Sequence, residues 1–171
     1  MPRALFLDRD GIVNIEKNYV HQIKDFEFIP EVFETINLFQ KHHFLIFIIT
    51  NQAGIARGYY SESQYQTLTR WMLEQFTEKN ISISRVYHCP HHPNENCQCR
   101  KPKPGMILQA QKEFNLNLKE SYLIGDKESD IEAGIHAGIG HNFLIGENQT
   151  HQNLAALLKY LLKEEVSLKL S

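Results

Sequence analysis

No apolar run in this chain is long enough to cross a bilayer, which argues against a membrane-spanning helix. Met1–Leu7 has neither the length nor the cleavage site of a secretory signal peptide, so the expected location is the cytoplasm. Neither sign of charge is in excess. With 18 Lys and Arg against 20 Asp and Glu, the formal net charge is -2, too little for a basic field that would hold nucleic acid or a membrane surface. Cysteine is scarce, with three in all, lying between Cys89 and Cys99. An odd number in one short window argues against a disulfide framework and for metal binding. Internal repeats and low-complexity segments are also lacking, so no repeat architecture is expected.

What is present is an ordinary globular composition, 42% hydrophobic over 171 residues, enough for one domain spanning residues 1–171. Short β-rich runs at Ala4–Asp8, Phe44–Thr50, Arg85–Cys89, Ser121–Gly125 and His141–Ile145 alternate with helical patterns. The helices are expected over Glu31–His42, Ser63–Lys79, Gly105–Phe114, Ser129–Ala137 and Gln152–Lys163. This alternation predicts an α/β domain, a doubly wound and mostly parallel sheet with helices on both faces. The runs Leu45–Ile49 and Tyr122–Ile124 are apolar without alternation, as strands covered on both sides should be. Leu68, Trp71, Met72 and Phe76 recur at helical spacing and read as core. There is no room for a second folded unit, so the active-site mouth should be roofed by loops.

Polar residues punctuate the carboxyl ends of the expected strands, where ligands sit in open parallel sheets. The first run ends in Asp8-Arg9-Asp10-Gly11. Strand alternation would send Asp8 and Asp10 to the same side, and two close carboxylates call for a hard cation such as Mg²⁺. A carboxylate beside Mg²⁺ can also attack a phosphoryl group. Thr50 and Asn51, before Ala53-Gly54, supply a hydroxyl, an amide and backbone N–H groups suited to an oxyanion, or else a helix cap. Arg57 can reach a second anionic group on a ligand. At Gly125-Asp126, Asp126 is the preferred further metal ligand, with Asp130 behind it or capping the next helix, while Lys127 can neutralise charge nearby. The loop from Cys89 to Cys99 holds three thiols and two imidazoles, a Cys₃His set for structural zinc in which spacing leaves His91 and His92 both open. It runs into Arg100-Lys101-Pro102-Lys103-Pro104, cations on a stiffened backbone suited to a phosphate.

Together these motifs resemble the haloacid-dehalogenase-like phosphatase superfamily, whose four hallmark elements match Asp8-Arg9-Asp10-Gly11, Thr50-Asn51, Lys101 and Gly125-Asp126 with Asp130. Within it, Asn18-Tyr19-Val20-His21, Thr50–Gly58, Cys89–Pro93 and Cys97–Pro102 resemble the D-glycero-D-manno-heptose 1,7-bisphosphate phosphatases. The resemblance implies a Rossmann-like fold without a separate cap domain. It implies Asp8 as nucleophile and Asp10 as general acid/base, with Thr50 and Lys101 steadying the transferring phosphoryl group. Mg²⁺ would be held by Asp8, the Asp10 backbone carbonyl and Asp126. Arg100 would help recognise substrate beside Glu16, Lys17, Asn18, Tyr19, Asn51, Gln52, Ala53 and Lys127. Structural Zn²⁺ would take Cys89, His91, Cys97 and Cys99.

The implied activity is a Mg²⁺-dependent phosphomonoesterase acting on a phosphorylated sugar in nucleotide-activated heptose synthesis for lipopolysaccharide, working as a monomer. Ile12 and Ala53 replace hydroxyl-bearing residues common in the family. The short span from His91 to Cys97 is more similar to the related histidinol-phosphate phosphatases. That activity is the alternative, because an aromatic ammonium substrate would favour rim carboxylates, whereas Lys17, Arg57 and Arg100 suit a second phosphate. A zinc-loop binding module is the non-enzymatic alternative, and it leaves the paired aspartates without a task.

Overall fold

The structure is a computed structural model, and it describes residues 1–165. The expected domain limit at residue 171 lies outside the described residues. Strands β1 (Ala4–Leu7), β2 (Leu45–Asn51), β3 (Arg85–Cys89), β4 (Tyr122–Gly125) and β5 (His141–Leu144) form one parallel sheet in the order β3-β2-β1-β4-β5. Among the described residues five α-helices pack with them, α1 (Glu31–Lys41), α2 (Glu62–Glu78), α3 (Gly105–Phe114) and α4 (Glu128–Ala137) between strands and α5 (Leu154–Lys163) after the last.

Alternation along the strands feeds two separate cores. Leu5 and Leu7 of β1 pack with apolar residues of α1, α2 and α5, whereas Ala4 and Phe6 pack with those of α3 and α4. Both sheet faces are therefore covered, which is why the strands read as unbroken apolar runs. Leu68, Met72 and Phe76 of α2 are buried, and the half-buried Trp71 meets the rings of Phe26 and Phe28. On α5, Leu154, Leu157, Leu158 and Leu161 fall on one stripe and are buried, each contributing roughly 1.5–3 kcal/mol by burial.

Helix starts differ slightly from expectation because of capping. α2 begins at Glu62, since Ser61 Oγ accepts from the Gln64 N–H at 3.1 Å and Gln64 Oε1 accepts from the Ser61 N–H at 2.8 Å. α5 begins at Leu154, two residues later than expected, because Asn153 Oδ1 accepts from the Ala156 N–H at 2.9 Å.

The first strand also departs from expectation, ending at Leu7. Asp8 still donates its N–H to the Ile124 carbonyl at 3.2 Å, but the chain then folds back, with the Val13 N–H on the Arg9 carbonyl at 2.8 Å. Asp8 and Asp10 therefore share a site through a tight turn, not through strand alternation. The chain winds outward from β1 through β2 to β3, then returns to β1's other side at β4. This reversal opens a crevice above the carboxyl ends of β1, β2 and β4. Among the described residues it is roofed by loops and turns, chiefly residues 8–30, 52–61 and 90–104.

Candidate active site

A cleft of about 510 Å³ opens above the sheet, with Asp8, Asp10, Lys101 and Asp130 in its lining. Asp8 is 6% exposed and Lys101 4%. Lys101 Nζ donates to Asp8 Oδ1 at 2.9 Å and to the Ile49 carbonyl at 3.1 Å, and lies 2.6 Å from Asp130 Oδ1. Burial works against the lysine's charge, yet Asp8 and Asp130 outweigh it and raise its pKa. For Asp8, burial is the largest effect and pushes the carboxyl well above the usual range. Lys101 opposes that rise, while Asp130, Asp126 and Asp10 add to it.

Asp8, Asp126 and Asp130 each offer an oxygen within 4.8 Å of the others. Burial raises the pKa of Asp126 as well, and its Oδ1 is buried with no hydrogen-bond partner. A desolvated carboxylate oxygen lacking a donor, beside two further carboxylates, fits a divalent cation. Asp130 is engaged differently. Its Oδ2 accepts from the N–H groups of Asp126 and Lys127, both at 3.2 Å at the start of α4, and its other oxygen takes Lys101. It thus stands behind the ligand position while capping the helix.

Gly11 sits against Asp126 with φ +100°, where a Cβ would lie 2.1 Å from Asp126 Oδ2. Gly11→Ala is expected to displace Asp126 and weaken cation binding at least about tenfold, the scale of disturbing a group that orients a ligand. A Mg²⁺ titration of phosphate release checks this, and an unchanged half-saturating concentration would contradict it.

Asp10 is held from three sides. Arg9, fully buried, donates Nη2 to Asp10 Oδ1 at 2.9 Å and Nε to Oδ2 at 3.2 Å. The same Nη2 reaches the Val20 carbonyl at 2.7 Å, tying the turn to the roof loop. Asn14 Nδ2 donates to Asp10 Oδ1 at 3.0 Å, and Gln52 Nε2 to Oδ2 at 3.2 Å. Neither Arg9 nor Asn14 was singled out from sequence. Adjacent residues on a strand face opposite ways, and only the turn after Leu7 lets Arg9 clamp its own neighbour.

At the end of β2, Thr50 Oγ1 accepts from Gln52 Nε2 at 2.8 Å. The amide of Asn51 pairs reciprocally with the Lys101 backbone, at 3.1 and 3.2 Å. In that pairing Asn51 sets the position of the lysine as well as lining the cleft. Glu16, Asn18, Tyr19, Gln52, Ala53, Arg57, Arg100 and Lys127 also line it. Lys127 Nζ stands 4.0 Å from Glu16 Oε2 across the mouth. Asn18 and Tyr19 have φ of 55° and 59°, a left-handed conformation that turns the loop over the cleft. Lys17, also expected at the substrate, is not in the lining and stands 3.9 Å from Glu27 Oε2.

The thiols of Cys89, Cys97 and Cys99 converge with the His91 ring within 4.8 Å. No disulfide forms, and His91 Nδ1 lies 3.4 Å from Cys89 Sγ and 3.2 Å from Cys99 Sγ. His92 faces away, accepting from the Asn94 N–H through Nδ1 at 3.1 Å. The geometry therefore selects His91 from the two histidines that spacing left open. Four such donors fit the Cys₃His set of a tetrahedral zinc site.

Comparison with known proteins identifies the family. A family profile described as HAD-hydrolase-like matches residues 98–157. A D-glycero-alpha-D-manno-heptose-1,7-bisphosphate 7-phosphatase of Campylobacter jejuni is 46% identical, covering 96% of this chain and 98% of the relative. A D-glycero-beta-D-manno-heptose-1,7-bisphosphate 7-phosphatase of Helicobacter pylori is 48% identical, covering 85% of each. Among solved structures, the D,D-heptose 1,7-bisphosphate phosphatase of B. bronchiseptica, complexed with magnesium and phosphate, superposes with a TM-score of 0.83 at 25% identity. That match covers 95% of this chain and 99% of the other. With a parallel α/β sheet of this topology and relatives of this identity along nearly its whole length, the chain belongs to the haloacid-dehalogenase-like phosphoric monoester hydrolases, in the family of the heptose 1,7-bisphosphate 7-phosphatases.

Proposed function

We propose that the protein removes the 7-phosphate of D-glycero-D-manno-heptose 1,7-bisphosphate by way of an aspartyl-phosphate on Asp8. The observation that carries this reading is the pairing of Asp8 with Lys101 Nζ at 2.9 Å on the cleft floor, with Asp10 clamped separately by Arg9. A carboxylate Oδ of Asp8 attacks phosphorus in line as the bond to the sugar oxygen breaks, and Asp10 gives that oxygen its proton. Asp10 then takes a proton from water, whose oxygen attacks phosphorus and releases phosphate while Asp8 returns to a carboxylate. Lys101 and the Thr50 hydroxyl hold the phosphoryl oxygens, where positioning and electrostatics supply most of the acceleration. Asp8, Asp126 and the Asp10 backbone carbonyl would hold Mg²⁺, which when bound supplies positive charge to the phosphoryl oxygens. Zinc on Cys89, His91, Cys97 and Cys99 would be structural, fixing the loop that delivers Arg100 and Lys101.

Two observations favour a bisphosphate over histidinol phosphate. Arg57, Arg100 and Lys127 line the cleft with Lys101, and Arg100 Nη1 is buried with no hydrogen-bond partner. A desolvated guanidinium N–H of that kind suits a second anionic group. The relatives named above act on the heptose bisphosphate, including one that this chain matches almost end to end. Side-by-side turnover should favour the heptose bisphosphate by at least about 100-fold in kcat/KM, as for sites built around polar groups that the competitor lacks. Preference for histidinol phosphate would overturn the substrate while leaving the chemistry.

A further inference from the structure

We infer that Tyr60 is a positioning residue for the acid/base carboxylate, acting through the side-chain amide of Gln52. This rests on the assignment of Asp10 proposed above. Tyr60 is buried in the cleft wall, and its hydroxyl donates to Gln52 Oε1. The amide nitrogen of Gln52 then places one hydrogen on Asp10 Oδ2 at 3.2 Å and the other on Thr50 Oγ1 at 2.8 Å.

An amide is nearly symmetric in shape, so packing alone does not decide which way it faces. Here the carboxylate end decides. When Asp10 takes its proton from water it does so as a carboxylate that only accepts. That selects the orientation with the amide nitrogen toward Asp10, and the Tyr60 hydroxyl, able to donate or accept, then donates to the Gln52 oxygen. Flipped, Gln52 would set a carbonyl oxygen against a carboxylate. Thr50 gains too: because its oxygen accepts from Gln52, its own hydrogen is left to donate toward the phosphoryl group.

The surroundings keep Tyr60 in place. A Cβ on Gly54 would lie 2.2 Å from the ring, so the ring seats against bare backbone. His21 stacks on the ring face, centroids 4.9 Å apart and planes 7° from parallel. Burial pushes the Tyr60 pKa up to about 12, so the hydroxyl keeps its proton at neutral pH.

The test is a double-mutant cycle with steady-state kinetics, run on the Mg²⁺-loaded enzyme with its phosphate ester. Tyr60→Phe deletes one oxygen and keeps the ring; kcat should fall about tenfold, the value of one buried hydrogen bond, with KM changed less than about twofold. Gln52→Ala should cost more, and adding Tyr60→Phe to it should cost nothing further, because the relay is already gone. Losses that multiply, or a raised KM with unchanged kcat, would mean that Tyr60 touches the substrate or merely supports the fold, and would overturn the inference. Asp10→Asn separates this from the underlying reading. An active Asp10→Asn enzyme sinks the acid/base assignment, whereas an inactive one beside a fully active Tyr60→Phe sinks only the relay. Should Tyr60→Phe fail to fold, Gln52→Glu tests the Gln52 half of the relay, since it keeps the acceptor for Tyr60 and removes both donors. A parental kcat in that folded variant overturns the relay.

Discussion

Replacing Asp8 with Asn is expected to lower Mg²⁺-dependent phosphate release by at least about 10⁴-fold, the scale on which removal of a covalent nucleophile acts. The amide is nearly isosteric but cannot form the acyl phosphate at the rate of a carboxylate. The fold should survive the change. Asp8 stands in a cluster of acidic groups where burial already disfavours its charge, so losing one negative charge relieves repulsion from Asp126 and Asp130. Lys101 keeps its partner in Asp130 at 2.6 Å. Thermal unfolding should therefore show a transition close to the parent's while the assay shows almost no product. Equal phosphate release from variant and parent would remove the mechanism altogether.

Loss of the proposed zinc is expected to have the second-largest effect, on stability and on activity. Cys89 is the last residue of β3 and is fully buried in the core shared with α3 and α4, while Cys97 and Cys99 pack against that core. Between them the chain is short and polar, so it has little apolar surface to hold it. Structural zinc contributes on the order of 10 kcal/mol or more to folding in small closed sites. If half of that is felt here, Cys99→Ser should lower Tm by about 10 °C or more.

Activity should fall with it, because the loop leads directly into Lys101, whose ammonium meets Asp8. Lys103 Nζ donates to the Cys97 carbonyl at 2.7 Å, tying the segment that follows back to the metal loop. Elemental analysis of protein purified without chelator should find about one zinc per chain. Finding none would dismiss the metal, and full activity after exhaustive chelation would dismiss its role in placing Lys101.

Much of this architecture is legible residue by residue. The apolar runs at Leu45–Ile49 and Tyr122–Ile124 announce covered strands, and α4 ends at Gly138, a glycine with φ 91°. Such signals are local: a buried strand must be apolar, and a left-handed residue is cheapest as glycine. The clustering of every cysteine in one loop is local as well. Arg9 shows where the reading ran out. Its clamp on Asp10 depends on β1 ending at Leu7 and on the return of the chain through Asn14, a turn held by distant backbone partners such as the Glu27 carbonyl on the Ile15 N–H at 2.8 Å. Lys17 likewise takes a place that its sequence position does not encode, outside the cleft lining. It has the right chemistry in the right loop, but its side chain is directed to Glu27.

The amino-acid order by itself determined the inventory: alternating strands and helices, acidic and hydroxyl groups at strand ends, and thiols and imidazoles gathered in one short segment. Those follow from periodicity, capping and side-chain chemistry within a few residues. Which groups meet was decided only in three dimensions. Asp8 and Lys101 are 93 positions apart in the chain, and Asp126 joins them because β4 pairs directly with β1. That adjacency comes from packing two helical layers on opposite faces of one sheet, a global energy balance that no local stretch encodes.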